Sequence, residues 1–168
     1  MPMQAIKLLL ALSGFTLIQF AYANAPHFKV DLVKVDKSAR TMLLYSGNTL
    51  VKKYKIALGE SPKGHKLQEG DNKTPEGSYN LDYKKDDSAF YRAMHISYPN
   101  EFDIEKAQQD DLNPGGFIMI HGQKNGDTKN PTITQRFNWT NGCIALTNSE
   151  MDEFLALVDS GTKIDIRW

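Results

Sequence analysis

The sequence predicts one mainly β domain, with a capped helix near its C-terminal end and a candidate polar helix further upstream. Three observations carry this. Short runs with two-residue apolar alternation recur along the chain, and Gly, Pro and Asn punctuate them. Only the stretch after Thr147 joins a helix-start signature to helical spacing of apolar residues. The 168 residues, 40% of them hydrophobic, suit one ordinary domain, and no repeat, low-complexity tract or Pro/Ser-rich linker divides them.

Residues 1–25 read as a secretory signal. Lys7 gives the positive start, residues 8–20 the apolar stretch, and Ala21-Tyr22-Ala23 the small-residue cleavage site. Cleavage after Ala23 leaves residues 24–168 as the working domain and keeps Pro26 off the new N-terminus. The apolar stretch is short for a bilayer, so no stable membrane insertion is expected once it is cut. The destination is export, most simply to a periplasm.

Residues 28–35 alternate apolar and polar, as a half-buried strand does. A turn at residues 37–40 leads to strands over 41–45 and 49–58, joined by Ser46-Gly47-Asn48, a hairpin signal. Residues 59–77 are loop-rich, with Gly59, Pro62, Gly64, Gly70, Pro75 and Gly77. Strands follow over 78–83 and 89–97, and a short polar helix over 101–111. Pro114-Gly115-Gly116 breaks the chain before the apolar run 117–120, which reads as a buried strand. Thr147-Asn148-Ser149-Glu150 is a capping box, and Met151, Phe154, Leu155 and Val158 continue it at helical spacing. Gly161 is the expected stop. Residues 162–168 alternate again, with Ile164 and Ile166 inward.

Composition narrows the function. Lys+Arg and Asp+Glu both number 20, so a basic footprint for nucleic acid is absent. One cysteine allows no disulfide framework, and four scattered histidines give no metal-ligand spacing, so neither metal nor cofactor is expected. A lone cysteine in an exported chain suggests a reactive thiol or intermolecular pairing.

That cysteine, Cys143, follows Thr140-Asn141-Gly142. Gly142 permits a tight turn whose successive N–H groups could form an oxyanion hole. The alternative is a small apolar core cysteine. A nucleophilic thiol needs a base, and His121, at the end of the apolar run, is the candidate, the alternative being a structural histidine. A loop over 123–139 would have to fold back to join them. Of the other histidines, His27 adjoins the cleavage site, His65 lies in a polar loop, and His95 falls in a strand, as core or else as a group supporting the site from behind. Asp86-Asp87 and Asp110-Asp111 read as solvated charges. Glu69, Asp71 and Glu76 show no spacing that singles out a glycosidase pair. Asn138-Trp139-Thr140 is a formal glycosylation sequon.

Three blocks together resemble the L,D-transpeptidase (YkuD-type) catalytic domain of bacterial cell-wall enzymes over residues 28–167. They are the opening strands running into Ala57-Leu58-Gly59; Gly70-Asp71-Asn72-Lys73-Thr74-Pro75-Glu76-Gly77-Ser78-Tyr79; and Ile120-His121-Gly122 with Thr140-Asn141-Gly142-Cys143-Ile144. The resemblance implies a sandwich-like fold, Cys143 as nucleophile and His121 as general base. It implies that the Gly122 carbonyl orients the imidazole and that Gly142 and Cys143 N–H groups form the oxyanion hole, with Asn141 beside them. The implied partners are peptidoglycan stem peptides, with a peptidoglycan-bound lipoprotein as a further candidate in the small exported branch. The chemistry implied is acyl transfer to an amine, or hydrolysis, through a thioester at the L-centred third stem residue. Two positions depart from the family pattern: Asn141 stands where His is usual, and Ala145 where Arg is usual. A non-catalytic cell-wall binding module with the same fold is the main alternative, and an unrelated exported cysteine protease the other.

Overall fold

The computed structural model describes residues 29–168, so the expected export signal and His27 lie outside the described residues. Eight strands and three helices follow in the order β1 (Leu32–Asp36), β2 (Thr41–Ser46), β3 (Thr49–Lys55), β4 (Gly77–Ser88), β5 (Tyr91–Ile96), α1 (Glu101–Gln109), β6 (Met119–His121), α2 (Pro131–Thr134), β7 (Ile144–Ala145), α3 (Asn148–Leu157) and β8 (Lys163–Arg167). The fold is mainly β, as the alternation predicts.

The strands run β3-β2-β1-β8-β4-β5-β6-β7. β1 to β3 form an antiparallel meander, and β8 returns to lie parallel to β1. β4 is the hinge between two layers. Its first residues pair with β8, from Gly77 opposite Ile166 to Asn80 opposite Lys163. From Leu81 onward it pairs with β5, with register shifts before Lys84 and before Ser88. Such irregularities bend a strand, and here they carry one chain from the first layer into the second. The two ends of the strand order then meet. Ala57, just past β3, exchanges backbone hydrogen bonds with Ala145 of β7, N–H to O at 3.0 and 2.8 Å.

Val33, Val35, Met42, Leu44, Ile164 and Ile166 are buried between the layers, as period-two side chains facing inward must be. Met151, Phe154 and Leu155 of α3 complete the core against β5. Each fully buried side chain of this size contributes about 1.5–3 kcal/mol. The capping box at Thr147 and Glu150 forms, and Asn100 with Asp103 makes a second one at α1.

Several expectations need correction. α3 ends at Leu157, because buried Val158 turns extended and draws the chain into the core; Gly161 instead supplies φ +89° in the turn into β8. Phe117 does not begin the apolar strand: it adopts φ +54° with its ring exposed, and β6 starts two residues later. The loop over 123–139 contains the short helix α2. β7 is two residues long, too short to carry a period of its own. His95 is not core, since its ring stacks on Tyr83 and its Nδ1 meets Asp82 at 2.9 Å near the surface.

Candidate active site

The register of two short strands brings Cys143 and His121 together. β6 and β7 are parallel, with Ile120 opposite Ile144 and His121 opposite Ala145. Ile120 and Ile144 enter the core, so His121 and Cys143, each one residue away along its chain, take the other face. Stepping the register back sets Cys143 beside Met119, whose N–H donates to Sγ at 3.4 Å. His121, two residues further along β6, is therefore its diagonal neighbour. The 123–139 segment folds the chain back between them, as the crossover that parallel pairing requires. Both side chains line one cavity of about 420 Å³.

His121 is buried, and its Nδ1 lies 2.7 Å from the Gly122 carbonyl oxygen. A carbonyl only accepts, so Nδ1 carries the proton and Nε2 keeps its lone pair. The rings of Phe90 and Trp139 flank the imidazole at centroid distances of 4.6 and 5.6 Å. Burial pushes the imidazole below its ordinary value of 6.5, and the Gly122 bond only partly opposes it. Burial likewise pushes the Cys143 thiol above its ordinary 9.0, against the Met119 N–H and the Lys66 charge. An imidazole-paired thiol is expected to be depressed. Here burial pushes each group toward its neutral form.

The turn before Cys143 depends on glycine. Gly142 has φ +136°, and a Cβ there would stand 2.7 Å from the Lys73 carbonyl oxygen. Thr140 ties the turn shut: its hydroxyl donates to the Cys143 carbonyl at 2.6 Å and accepts the Gly142 N–H at 3.2 Å. The Gly142 amide is thus engaged, whereas the Cys143 amide has no hydrogen-bond partner among the described residues. Gly122 is equally constrained, since a Cβ would come within 2.6 Å of Asn148 Oδ1. Exposed Asn141 lies where the Cys143 cavity adjoins a second groove of about 280 Å³ that includes Lys66, Glu69 and Asn72.

The loop that holds Lys73 beneath this turn is itself pinned. Buried Lys37 donates to the Gly64 and Thr74 carbonyls at 2.7 Å each and to Glu76 at 2.9 Å. The Thr74 hydroxyl accepts the Gly59 N–H at 3.0 Å. The three loop acids have separate structural partners: Glu69 holds Asn113, Asp71 holds Lys66, and Glu76 holds Lys37. His65 bridges Asp103 and the Glu76 N–H. The sequon Asn138 accepts the Leu58 N–H.

Against known proteins, a model of the YkuD family, the L,D-transpeptidase catalytic domain, matches residues 31–166. The chain belongs to this family. It is 30% identical over 132 residues to the Escherichia coli K12 protein named "Putative L,D-transpeptidase YafK", covering 75% of this chain and 46% of YafK. Pgp2, the helical cell shape determining protein of Campylobacter jejuni, is 27% identical with a TM-score of 0.60, over 82% of this chain and 47% of Pgp2. Bd1075 of Bdellovibrio bacteriovorus shares the fold, at 21% identity and a TM-score of 0.58 over 86% of this chain and 50% of Bd1075. The chain thus spans about half the length of each.

Within this L,D-transpeptidase domain, the departure at Ala145 has a visible counterpart. Ala145 is fully buried. Its carbonyl accepts from Gln135 Nε2 at 2.9 Å, and Gln123 Nε2 donates to the neighbouring Leu146 carbonyl at 2.7 Å. Two buried amides brace β7. Sequence reasoning missed them, along with Phe90, Met119 and the Thr140 clamp. A Trp-Thr pair two residues before a Gly-Cys was the one available signal.

Proposed function

We propose that this L,D-transpeptidase-family domain is an exported cysteine enzyme that acts on peptidoglycan stem peptides through a thioester. The observation that carries the reading is the shared face of β6 and β7. It sets a buried imidazole with a bare Nε2 and a half-buried thiol in one cavity.

In the first half-reaction the Cys143 thiol gives its proton to His121 Nε2, and sulfur attacks the amide carbonyl of the L-centred third stem residue. The carbonyl oxygen gains the negative charge, and the Cys143 N–H is the donor left to meet it. The C–N bond breaks, the imidazolium returns its proton to the leaving amine of the D-residue, and a thioester remains. In the second half an amine or water attacks the thioester, His121 takes its proton, and the thiol is restored. An amine acceptor gives a crosslink or an exchanged D-residue. Water trims the stem or releases a bound lipoprotein. Asn141 and Gly142 shape the approach rather than move protons.

The export signal over residues 1–23 and a periplasmic site of action belong to the same reading. No helix among the described residues is long and apolar enough to cross a membrane.

The test is mass spectrometry of sacculi, with lipoprotein attached, after incubation with wild type and Cys143→Ala. New third-residue dimers or exchanged D-residues mark a transferase. Shortened stems or released lipoprotein peptide mark a hydrolase. Identical wild-type and mutant profiles would overturn the enzyme reading.

A further inference from the structure

The cavity that holds Cys143 and His121 is largely aromatic and polar-neutral. Lys124 is the one lining residue with a formal charge, because burial keeps His121 neutral. Lys124 makes no ion pair among the described residues, although nine such pairs occupy lysines, arginines and histidines elsewhere. An unpaired cation beside a low-dielectric wall is an anion receptor in the making, since attraction there is screened less than in open water.

Its placement is built, despite the exposed position. On one side, Gln123 is buried, its side chain holding the Leu146 carbonyl and its N–H donating to Asn148 Oδ1 at 2.8 Å. On the other, Asn125 is clamped to the β4–β5 turn by three bonds: its N–H to the Ala89 carbonyl, its Nδ2 to the Ser88 carbonyl, and its Oδ1 from the Tyr91 N–H. Anchors on both sides fix the root of the lysine at the cavity mouth, leaving only its flexible stem to search. The nearest acid in sequence, Asp127, is taken up by the Lys129 N–H at 2.9 Å.

We infer that Lys124 is a specificity-determining residue that binds a free carboxylate of the peptide substrate next to the scissile bond. The inference rests on the proposed peptide chemistry for the choice of ligand, since a peptide offers carboxylates and no other anion. Two sources share that chemistry: the terminal carboxylate of the leaving D-residue, and a side-chain carboxylate on the diamino acid. Lysine suits either as a rotatable point charge, without the fixed fork of arginine.

The experiment compares wild type, Lys124→Met and Lys124→Arg on three synthetic stem tetrapeptides: fully acidic, amidated at the C-terminus, and amidated on the diamino-acid side chain. kcat/KM is measured for each, together with equilibrium binding to Cys143→Ala and Cys143→Ala/Lys124→Met. One amidation is expected to weaken wild type about tenfold, the size of one charge-assisted hydrogen bond. Lys124→Met is expected to lose that preference and Lys124→Arg to keep it. Sensitivity to C-terminal amidation names the leaving residue as the source; sensitivity to the other amidation names the diamino acid. Charge-dependent binding without turnover would uphold Lys124 and overturn the catalytic reading. Wild type indifferent to both amidations in binding and turnover, or Lys124→Met keeping the preference, would overturn the inference.

Discussion

At the scale of single residues, Cys143 and His121 are shifted in opposite directions by one cause. The Phe90 and Trp139 walls remove water from His121, and its charged form suffers; the same enclosure disfavours the thiolate. Under the proposed mechanism, proton transfer then accompanies the attack itself, instead of standing ready as an ion pair. Alkylation of Cys143 should therefore accelerate with pH to a half-point above 9.0. A half-point below about pH 7 would reveal a resting thiolate–imidazolium pair. His121 also sets a stability term. Its folded value lies below the unfolded 6.5, so its contribution is full above that pH and lost as pH falls toward the folded value. Denaturant unfolding between about pH 5 and pH 7.5 should show wild type losing stability on acidification. His121→Gln should lose less over the same window, and equal slopes would refute the account.

At the scale of elements, the site depends on how loops are held beneath two short strands. Gly142→Ala places a methyl against the Lys73 carbonyl at a strained φ, and should cost about 1–3 kcal/mol while turning the Cys143 amide away. Gly116→Ala meets nothing closer than 3.9 Å and should melt like wild type. Lys37→Met would leave the Gly64 and Thr74 carbonyls and the Glu76 carboxylate without their donor. Breaking such a buried group costs about 3–5 kcal/mol, readable as a large drop in the denaturation midpoint. These elements differ in how far the sequence discloses them. β1, β2, β8 and α3 are legible because each carries its own local period, and the cap at Thr147 obeys a known spacing rule. Cys143 and His121 are legible as candidate residue types, and their sharing of one cavity is what the fold adds. β7 is not, because two residues carry no period and the strand exists only through its partners. The Lys37 pin is hidden for the same reason: a lysine in a turn reads as solvated until a distant loop closes over it.

At the scale of the whole molecule, the site sits on the seam where the strand order closes. β7 joins β6 on one side and Ala57 on the other, so Ala145 pairs at once with His121 of β6 and with Ala57 just past β3. The bridge from Ala57 to Ala145 is among the longest-range pairings in the fold, and both residues are fully buried. Loop-closure entropy makes such contacts late and dependent on everything between them. Cys143 is thus positioned only when both layers are complete, and β7 has no local stability of its own to fall back on. Native-state hydrogen exchange tests this directly. The Ala57 and Ala145 amides, bonded to each other at 3.0 and 2.8 Å, should exchange only through global unfolding, at the same free energy as core amides such as Val33. The exposed stretch around Gly126 and Lys129 should open far more easily, since its bonds are few and solvent-facing. If Ala145 exchanged as readily as that stretch, the seam would be a surface feature, and the site would open without the sheet.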